Sequence, residues 1–254
     1  MELKSQLMPK LKNLRLSGIL ETLEVRIQQA IEEKCTYVEF LQKLLEDEVE
    51  RRGQKQLSLR LRRSNLDFTK TLEAFDFSFN PTLNRQQIYD LATCAFLERG
   101  ESVLLVGPAG VGKSHLAQAL GHEACRRGFD VIFTRTSEML SHLHAGRADG
   151  SNERRPAMYQ RPEVLILDDF GLKPMRPPSA EDLYEVIEGR YGRGAIIPTN
   201  NRVARALRQR GARFGGAGSP GARRDATRHH RRQRSAQGPP QPTGIGKVVK
   251  VTVA

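Results

Sequence analysis

The sequence predicts an α/β protein in which a mainly parallel sheet forms the middle of three layers, preceded by a small helical module. Three observations support this fold class. Short apolar segments typical of strands alternate with segments of helical character between about residues 83 and 201. The first of these strands runs directly into a glycine-rich loop. Before residue 70, by contrast, apolar residues recur at the spacing of helices.

The first 70 residues form the predicted helical module. Apolar residues at helical spacing predict an amphipathic helix from Leu11 to Ile31. Thr36 and Glu39 have the spacing of a capping box, which predicts the start of a second helix. The apolar residues that continue this second helix are Val38, Leu41, Leu45 and Val49.

A linker and the alternating elements of the core follow. Residues 66–83 predict a linker whose four phenylalanines (Phe68, Phe75, Phe77 and Phe79) favour core packing, although one or two could flank an adenine ring. A predicted helix then covers Leu83–Arg99, and a helix after the glycine-rich loop ends near Arg127. The further predicted elements are strand Val131–Thr134, helix Ser137–His144, strand Val164–Leu167, helix Ala180–Tyr191 and strand Ala195–Thr199.

The glycine-rich loop is the most informative motif. Residues 107–114 read GPAGVGKS, which fits the phosphate-binding pattern G-x-x-x-x-G-K-[ST], or P-loop. The glycines allow successive backbone N–H groups to point at phosphates, the lysine reaches the β- and γ-phosphates, and the hydroxyl binds Mg²⁺. The candidate nucleotide-binding residues are Gly107, Pro108, Ala109, Gly110, Val111, Gly112, Lys113 and Ser114.

Two carboxylates follow a later apolar segment. Residues 164–169 read VLILDD, as expected for a strand that is buried on both faces and ends in acids. The position predicts that Asp168 holds Mg²⁺ together with Ser114, and that Asp169 orients the attacking water.

Composition narrows the classes of protein. The chain has 254 residues, of which 38% are apolar and 28% are charged, as in a soluble protein with a core. It has no apolar stretch long enough for a membrane span and no predicted secretory signal. Three scattered cysteines favour neither disulfides nor a zinc site. These features together predict a cytoplasmic protein.

The net charge of +12 is concentrated at one end of the chain. Residues 202–254 contain eleven Arg and two Lys against a single Asp, so the remaining residues carry 28 basic and 28 acidic side chains. Within that balanced part, residues 51–63 contain six cations and no acid. This basic segment is interpreted either as a solvated helix face or as a set of phosphate contacts.

Longer strings give the sequence a family resemblance over residues 1–201. The strings are FDFSFNPTLNRQQIYDLATCAFLERGESVLLVGPAGVGKSHLAQALGHEACRRG, RADGS, LILDDFGLKP and EDLYEVIEGRYGRG. They resemble the IstB-like ATP-binding proteins, which are AAA+ helper ATPases of insertion-sequence transposition related to DnaC and DnaA. The resemblance implies ATP and Mg²⁺ as ligands. It also implies that Asn201, or alternatively Asn200, is a sensor of the γ-phosphate.

The same resemblance implies partners. They are double-stranded DNA, a transposase encoded by the same element and further copies of the chain, and no membrane is expected. Two alternatives remain at this point. One is a DnaC-like helicase loader, and the other is a truncated ATP- and DNA-binding scaffold without significant hydrolysis.

The sequence departs from the family pattern near its end. Pro198 lies inside the predicted sensor strand, where it would break a ladder hydrogen bond if that strand is central. After about residue 201 the pattern stops, and the family's arginine-finger region has no counterpart. Arg, Gly, Ala and Pro make up 31 of the 53 residues from 202 to 254, which predicts a disordered tail. This tail is interpreted either as a nucleic-acid-binding arm or as a frameshift product, with the frameshift favoured.

The sequence therefore divides into three parts. Residues 1–70 form the helical module, which is expected to bind DNA or a partner. Residues 71–201 form an AAA+ P-loop ATPase core that is incomplete at its C-terminal end, and 202–254 form the tail.

Overall fold

The computed structural model describes residues 2–151, 154–201 and 248–253. The helices are α1 (Glu2–Asn13), α2 (Ser17–Glu32), α3 (Tyr37–Ser64), α4 (Arg85–Ala92), α5 (Ala95–Glu98), α6 (Lys113–Arg126), α7 (Thr136–Asp149), α8 (Arg154–Gln160) and α9 (Ser179–Gly189). The strands are β1 (Ser102–Val106), β2 (Val131–Arg135), β3 (Val164–Asp168), β4 (Ala195–Asn200) and β5 (Val248–Thr252). Among the described helices, none has the length and apolar character needed to cross a membrane.

The five strands form one parallel sheet in the order β2-β3-β4-β1-β5. Because parallel strands end at the same edge, the carboxyl ends of β1, β3 and β4 lie side by side. The ends of β1 and β4 are in register, with Leu105 opposite Thr199 and Val106 opposite Asn200. The predicted α/β fold class is confirmed.

Alternate residues of β3 show why the fold has three layers. Val164 and Ile166 pack in one hydrophobic cluster with residues of α4 and α6, such as Leu120. Leu165 and Leu167 pack in a second cluster with residues of α7, α8 and α9. Since successive side chains of a strand point to opposite faces, helices cover the sheet on both sides. All five residues of β3 are buried, as expected for a central strand.

The helical module is joined to the core by α3. Leu11, Ile19, Leu23 and Leu44 form a separate small core between α1, α2 and α3. α2 and α3 approach closely at Gly18, where an added Cβ would lie 2.7 Å from the carbonyl oxygen of Asp47. Further along α3, Leu57 and Leu61 pack against the main core.

The start of the module differs from the prediction. A single helix from Leu11 to Ile31 is wrong, because α1 ends at Asn13 and α2 starts at Ser17. Arg15 lies between them with a left-handed φ of 57°. The capping box is confirmed, because Thr36 Oγ1 accepts from the Glu39 backbone N–H (3.3 Å) and Glu39 Oε2 accepts from the Thr36 backbone N–H (2.7 Å).

The core also contains elements that the sequence analysis missed. The predicted helix 83–99 is two helices, α4 and α5, because Cys94 has a left-handed φ of 61°. α8 was not predicted. β4 is central in spite of Pro198, and its register with β1 begins only after this proline, at Thr199. The backbone N–H of Ile196 instead donates to Ser102 Oγ at 3.2 Å.

Strand β5 corrects the expectation of a disordered tail over residues 202–254. β5 pairs with β1 over five residues, from Ser102 opposite Val248 to Val106 opposite Thr252. The side chains of Val251 and Val253 are fully buried in the main core. The other predictions for the tail, over 202–247 and 254, fall outside the described residues.

Candidate nucleotide-binding site

The P-loop connects the end of β1 to the start of α6, as its sequence predicts. Gly110 and Gly112 have φ angles of 84° and 89°, which L-residues with side chains rarely adopt. Gly112 also lies against the Phe75 ring, since an added Cβ would be 2.8 Å from a ring carbon. Two glycines of the motif are therefore required by the backbone geometry itself.

The first glycine of the loop is required for a different reason. A Cβ on Gly107 would lie 1.7 Å from the carbonyl oxygen of Val253, just after β5. The Gly107 backbone N–H donates to the carbonyl of Asn200 at 3.2 Å, and the Val253 backbone N–H donates to the carbonyl of Val106 at 2.7 Å. The P-loop thus begins between the ends of β4 and β5.

Lys113, the motif lysine, is held inside the loop. Its side chain is only 4% exposed, and its Nζ donates to the carbonyl of Pro108. Burial lowers the pKa of Lys113, while the nearby carboxylates of Asp168 and Asp169 act in the opposite direction. A buried ammonium whose partner is a neutral carbonyl would gain from a phosphate, because hydrogen bonds between ionised partners are stronger.

Asp168 connects the P-loop to the sheet. Its Oδ1 accepts from Ser114 Oγ at 2.8 Å and also from Thr199 Oγ1 on β4. The Asp168 carbonyl accepts from Thr136 Oγ1 at 2.9 Å. The structure therefore brings together the two residues predicted to hold the metal. Hydroxyl and carboxylate oxygens are suitable ligands for Mg²⁺, so the residues present fit this ion.

Asp169 lies beside this group in a strained backbone conformation. Its φ is 56°, and its backbone N–H donates to Thr199 Oγ1 at 3.2 Å. The next N–H, from Phe170, donates to the carbonyl of Thr199 at 2.8 Å. Thr199 therefore fixes the carboxylate of Asp168 and the backbone of Asp169, although its role was not predicted from the sequence. Its only signal in the sequence is its position as a polar residue near the end of an apolar strand.

The two sensor candidates occupy neighbouring positions. Asn200 is the last residue of β4, and its Nδ2 lies 3.5 Å from where a Cβ on Gly171 would be. Asn201 is half-buried in the bend that follows. The assignment of Asn201 as the γ-phosphate sensor stays a prediction.

One face of α6 holds the linker that precedes the core. His115 Nε2 contacts the carbonyl of Thr71 at 2.8 Å, and His122 Nε2 contacts the carbonyl of Asp67 at 2.9 Å. Between them, Gln118 Oε1 accepts from the Asp67 backbone N–H at 2.8 Å. The start of α6 carries the phosphate loop, so this contact joins the linker to the nucleotide site. This contact was not predicted from the sequence.

The four phenylalanines of the linker divide into two groups. Phe75 and Phe77 are buried and pack edge to face, with ring centroids 4.9 Å apart. Phe68 and Phe79 are exposed by 64% and 71%. Core packing accounts for the first pair.

The basic segment 51–63 is partly neutralised by contacts within the chain. Arg51 pairs with Glu21, and Arg52 pairs with Glu48. Arg60 lies 3.7 Å from Asp130. The other three cations form no ion pair with any of the described residues. They are Lys55, Arg62 and Arg63.

Comparisons with known proteins connect the chain to a family of ATP-binding proteins. The family described as IstB-like ATP binding protein matches residues 9–236. The match continues past residue 201, where the sequence analysis expects the family pattern to end. An insertion-sequence ATP-binding protein of Mycobacterium tuberculosis is 48% identical over 194 residues, which are 76% of this chain and 77% of that protein. The ATP-binding protein of insertion sequence IS21 from Pseudomonas aeruginosa is 37% identical over 196 residues, covering 77% and 73% of the two chains.

Solved structures support the fold. DnaA from Aquifex aeolicus, bound to AMPPCP, superposes with a TM-score of 0.52 and 23% identity over 60% of this chain and 49% of that chain. This chain therefore spans about half the length of that protein. At this identity the similarity shows the fold alone. In the present chain, that fold places the P-loop and the acids after β3 at one edge of a parallel sheet.

Proposed function

The chain belongs to the IstB-like ATP-binding protein family, and we propose that it is an ATP- and DNA-binding helper protein for transposition of an insertion sequence. In this proposal it assembles with further copies of itself on target DNA. It then recruits or activates the transposase encoded by the same element.

The hydrogen bond between Ser114 and Asp168 carries the nucleotide part of the proposal. It joins the last residue of the phosphate loop to the acid at the end of β3, at 2.8 Å. Bound Mg²⁺ would supply charge neutralisation at the β- and γ-phosphates. Ser114 and Asp168 would hold the ion, while Lys113 and the loop N–H groups would bind the phosphates.

Asp169 and the asparagine pair have the remaining roles at this site. The carboxylate of Asp169 would orient a water molecule, and the backbone N–H of Asp169 is held by Thr199. Asn201, or Asn200 beside it, would donate its amide hydrogens to the γ-phosphate or to that water. Both roles concern the same edge of the sheet, where β3 and β4 end side by side.

The relatives support the transposition part, because the two that are described above are ATP-binding proteins of insertion sequences. The concentration of arginine after residue 201 suits electrostatic contact with DNA. The alternative of a helicase loader has no specific support in the described residues.

Two measurements on Lys113→Ala test the proposal. In calorimetric titration, ATP should bind the variant at least about tenfold more weakly, because a charged hydrogen-bond partner contributes about 1.5–3 kcal/mol. Lys55→Ala is the matched control, since Lys55 is exposed and forms no ion pair with the described residues. Undiminished ATP affinity in Lys113→Ala would overturn the nucleotide assignment.

The second measurement is a strand-transfer assay with the transposase of the same element. Products should require this protein and ATP, and Lys113→Ala should not support them. If strand transfer is the same with and without the protein, or if it binds a replicative helicase in place of the transposase, the helper role is wrong.

A further inference from the structure

A cationic groove lies next to the nucleotide site, at the carboxyl edge of the sheet. The start of α7 forms one wall, and the loop 169–178 between β3 and α9 forms the other. Its volume is about 830 Å³. The charged residues that line it are Arg135, Lys173, Arg176 and Asp169. His144 also lines the groove.

The charges of this groove are largely uncompensated. Lys173 and Arg176 are exposed and form no ion pair with the described residues. Arg135 lies 3.4 Å from Glu138, but both side chains are 61% exposed, and such surface pairs contribute little. Asp169 is the one acid among the described lining residues, and it is the residue placed at the nucleotide site.

The rest of the lining indicates which part of a nucleic acid would fit. Leu140, Leu172 and Met175 contribute apolar surface, and no Phe, Tyr or Trp occurs among the described residues of the groove. Bases of single strands bind proteins largely by stacking on aromatic rings, whereas the phosphates of a duplex require only well-placed cations. The groove is therefore suited to a phosphodiester backbone.

The basic segment 51–63 is the second candidate for the same task. Three of its six cations face acids of the same chain, at Glu21, Glu48 and Asp130. Two of the three groove cations have no such partner. Among the described residues, the basic segment keeps three unpaired cations and the groove two, so the groove is favoured by its position beside the nucleotide site and not by the number of its cations.

We propose that the cationic groove binds the phosphodiester backbone of duplex DNA and is the main DNA contact within the described part of the chain. This inference rests on the proposed function, because it assigns a surface to the DNA binding proposed there. The loop that carries Lys173 and Arg176 starts at Asp169, and its Gly171 lies against Asn200. DNA held in the groove is thus one short loop away from the γ-phosphate sensor candidates.

The test compares two double variants of the full chain that lose the same charge. Lys173→Gln with Arg176→Gln removes groove cations, and Lys55→Gln with Arg62→Gln removes exposed cations of the basic segment. Binding of a labelled duplex is followed by fluorescence anisotropy over a range of salt concentrations. The arginine-rich segment after residue 201 is common to all proteins compared, so it does not affect the difference.

The groove variant should lower the slope of log affinity against log salt by about 1.8, since each lost phosphate contact removes about 0.9. Its affinity near 0.1 M salt should fall by at least tenfold. Adding Arg135→Gln should lower the slope by about a further 0.9. The basic-segment variant should change the slope by less than half as much. ATP affinity should be the same in all variants, which shows that they are folded.

The outcomes separate this inference from the proposed function. If the unmodified protein binds duplex DNA and the groove variant binds it with the same slope, the groove is not the contact, and DNA binding itself stands. A larger loss in the basic-segment variant would also overturn the inference. If the unmodified protein does not bind DNA at low salt, the DNA-binding part of the proposed function fails as well.

Discussion

A single carboxylate oxygen organises the nucleotide site. Asp168 Oδ1 accepts from Ser114 on the phosphate loop and from Thr199 on β4, so its position depends on three elements that are distant in sequence. Thr199 also binds the backbone N–H of Asp169. One threonine therefore fixes the carboxylate proposed to hold the metal and the backbone of the carboxylate proposed to orient water.

Thr199→Val tests this positioning role. The substitution keeps the shape of the side chain but removes both hydrogen bonds, so we expect the affinity for Mg²⁺-ATP to fall about tenfold or more, as for other outer-shell partners of metal ligands. ATP affinity measured without Mg²⁺ should change little. This contrast would not arise from a general loss of stability.

Thr134→Val is the control, because Thr134 is a buried threonine of β2 whose hydroxyl donates to the Arg135 carbonyl. Equal losses for Thr199→Val with and without Mg²⁺ would contradict the role given to Thr199.

The sequence predicts the parts of this site that are contiguous. The eight residues of the P-loop and the two acids after β3 are recognisable because spacing along the chain defines them. Thr199 and Phe75 are not, since their roles depend on which strand lies next to β3 and on how the linker crosses α6.

Arg190 is a further residue whose role could not be predicted from the sequence. It is almost fully buried, donates to the carbonyls of Tyr159, Pro162, Glu163 and Ala195, and has its pKa lowered by burial to about 10. Nothing in its local sequence distinguishes it from a surface arginine.

Among the elements, β5 changes the interpretation of the chain most. It is one of the two edge strands in the sheet that the described residues form, and the carbonyl that follows it faces Gly107 of the phosphate loop. A frameshift product without a role would have no reason to provide a strand with alternating burial beside β1. The packing of Val251 and Val253 therefore favours a structural role for these last residues.

Substitutions at two valines of β5 test its docking. Val251 is fully buried and Val248 is 47% exposed on the same strand. Val251→Ala should lower the free energy of unfolding by about 2 kcal/mol, whereas Val248→Ala should change it by less than about 0.5 kcal/mol. Urea unfolding at equilibrium measures both. If the two variants are equally stable, β5 is not part of the folded sheet.

Local backbone conformation explains most differences between the predicted and observed elements. The predicted helices 11–31 and 83–99 are both interrupted, at Arg15 and at Cys94, by left-handed residues that are not glycine. Neither arginine nor cysteine is typical of a helix end, so the apolar periodicity predicted one continuous helix across each of these residues. The strands β1 to β4 were predicted to within one residue where bounds were given, because buried parallel strands are short continuous apolar segments between polar residues.

At the scale of the whole molecule, charge and chain order are linked. The positive charge concentrated in residues 202–254 lies largely between β4 and β5 in the chain. Removing everything after Asn201 would therefore remove an edge strand together with the arginines. The contribution of these arginines to DNA binding is better measured by replacing them with glutamine in the full chain.

The same region determines what we expect of ATP turnover. The family resemblance implies an arginine finger that reaches the γ-phosphate from a neighbouring subunit, and residues 202–247, where it would be expected, lie outside the described residues. A finger is effective only where rigid packing holds its guanidinium against the phosphoryl oxygens. The composition of residues 202–254, dominated by Arg, Gly, Ala and Pro, predicts no such packing for most of them.

We therefore expect this protein to bind ATP but to hydrolyse it at least about a thousandfold more slowly than a full-length relative that has an arginine finger, because fingers contribute about 10³–10⁵ in rate. Steady-state phosphate release, with and without duplex DNA, measures this. Asp169→Asn is the control, since it removes the carboxylate proposed to orient water. The expectation would be contradicted by DNA-stimulated turnover that disappears in Asp169→Asn. Such a result would mean that a complete catalytic site forms between subunits. The arginine finger would then have to lie among the residues that follow Asn201 or on another surface of the neighbouring copy.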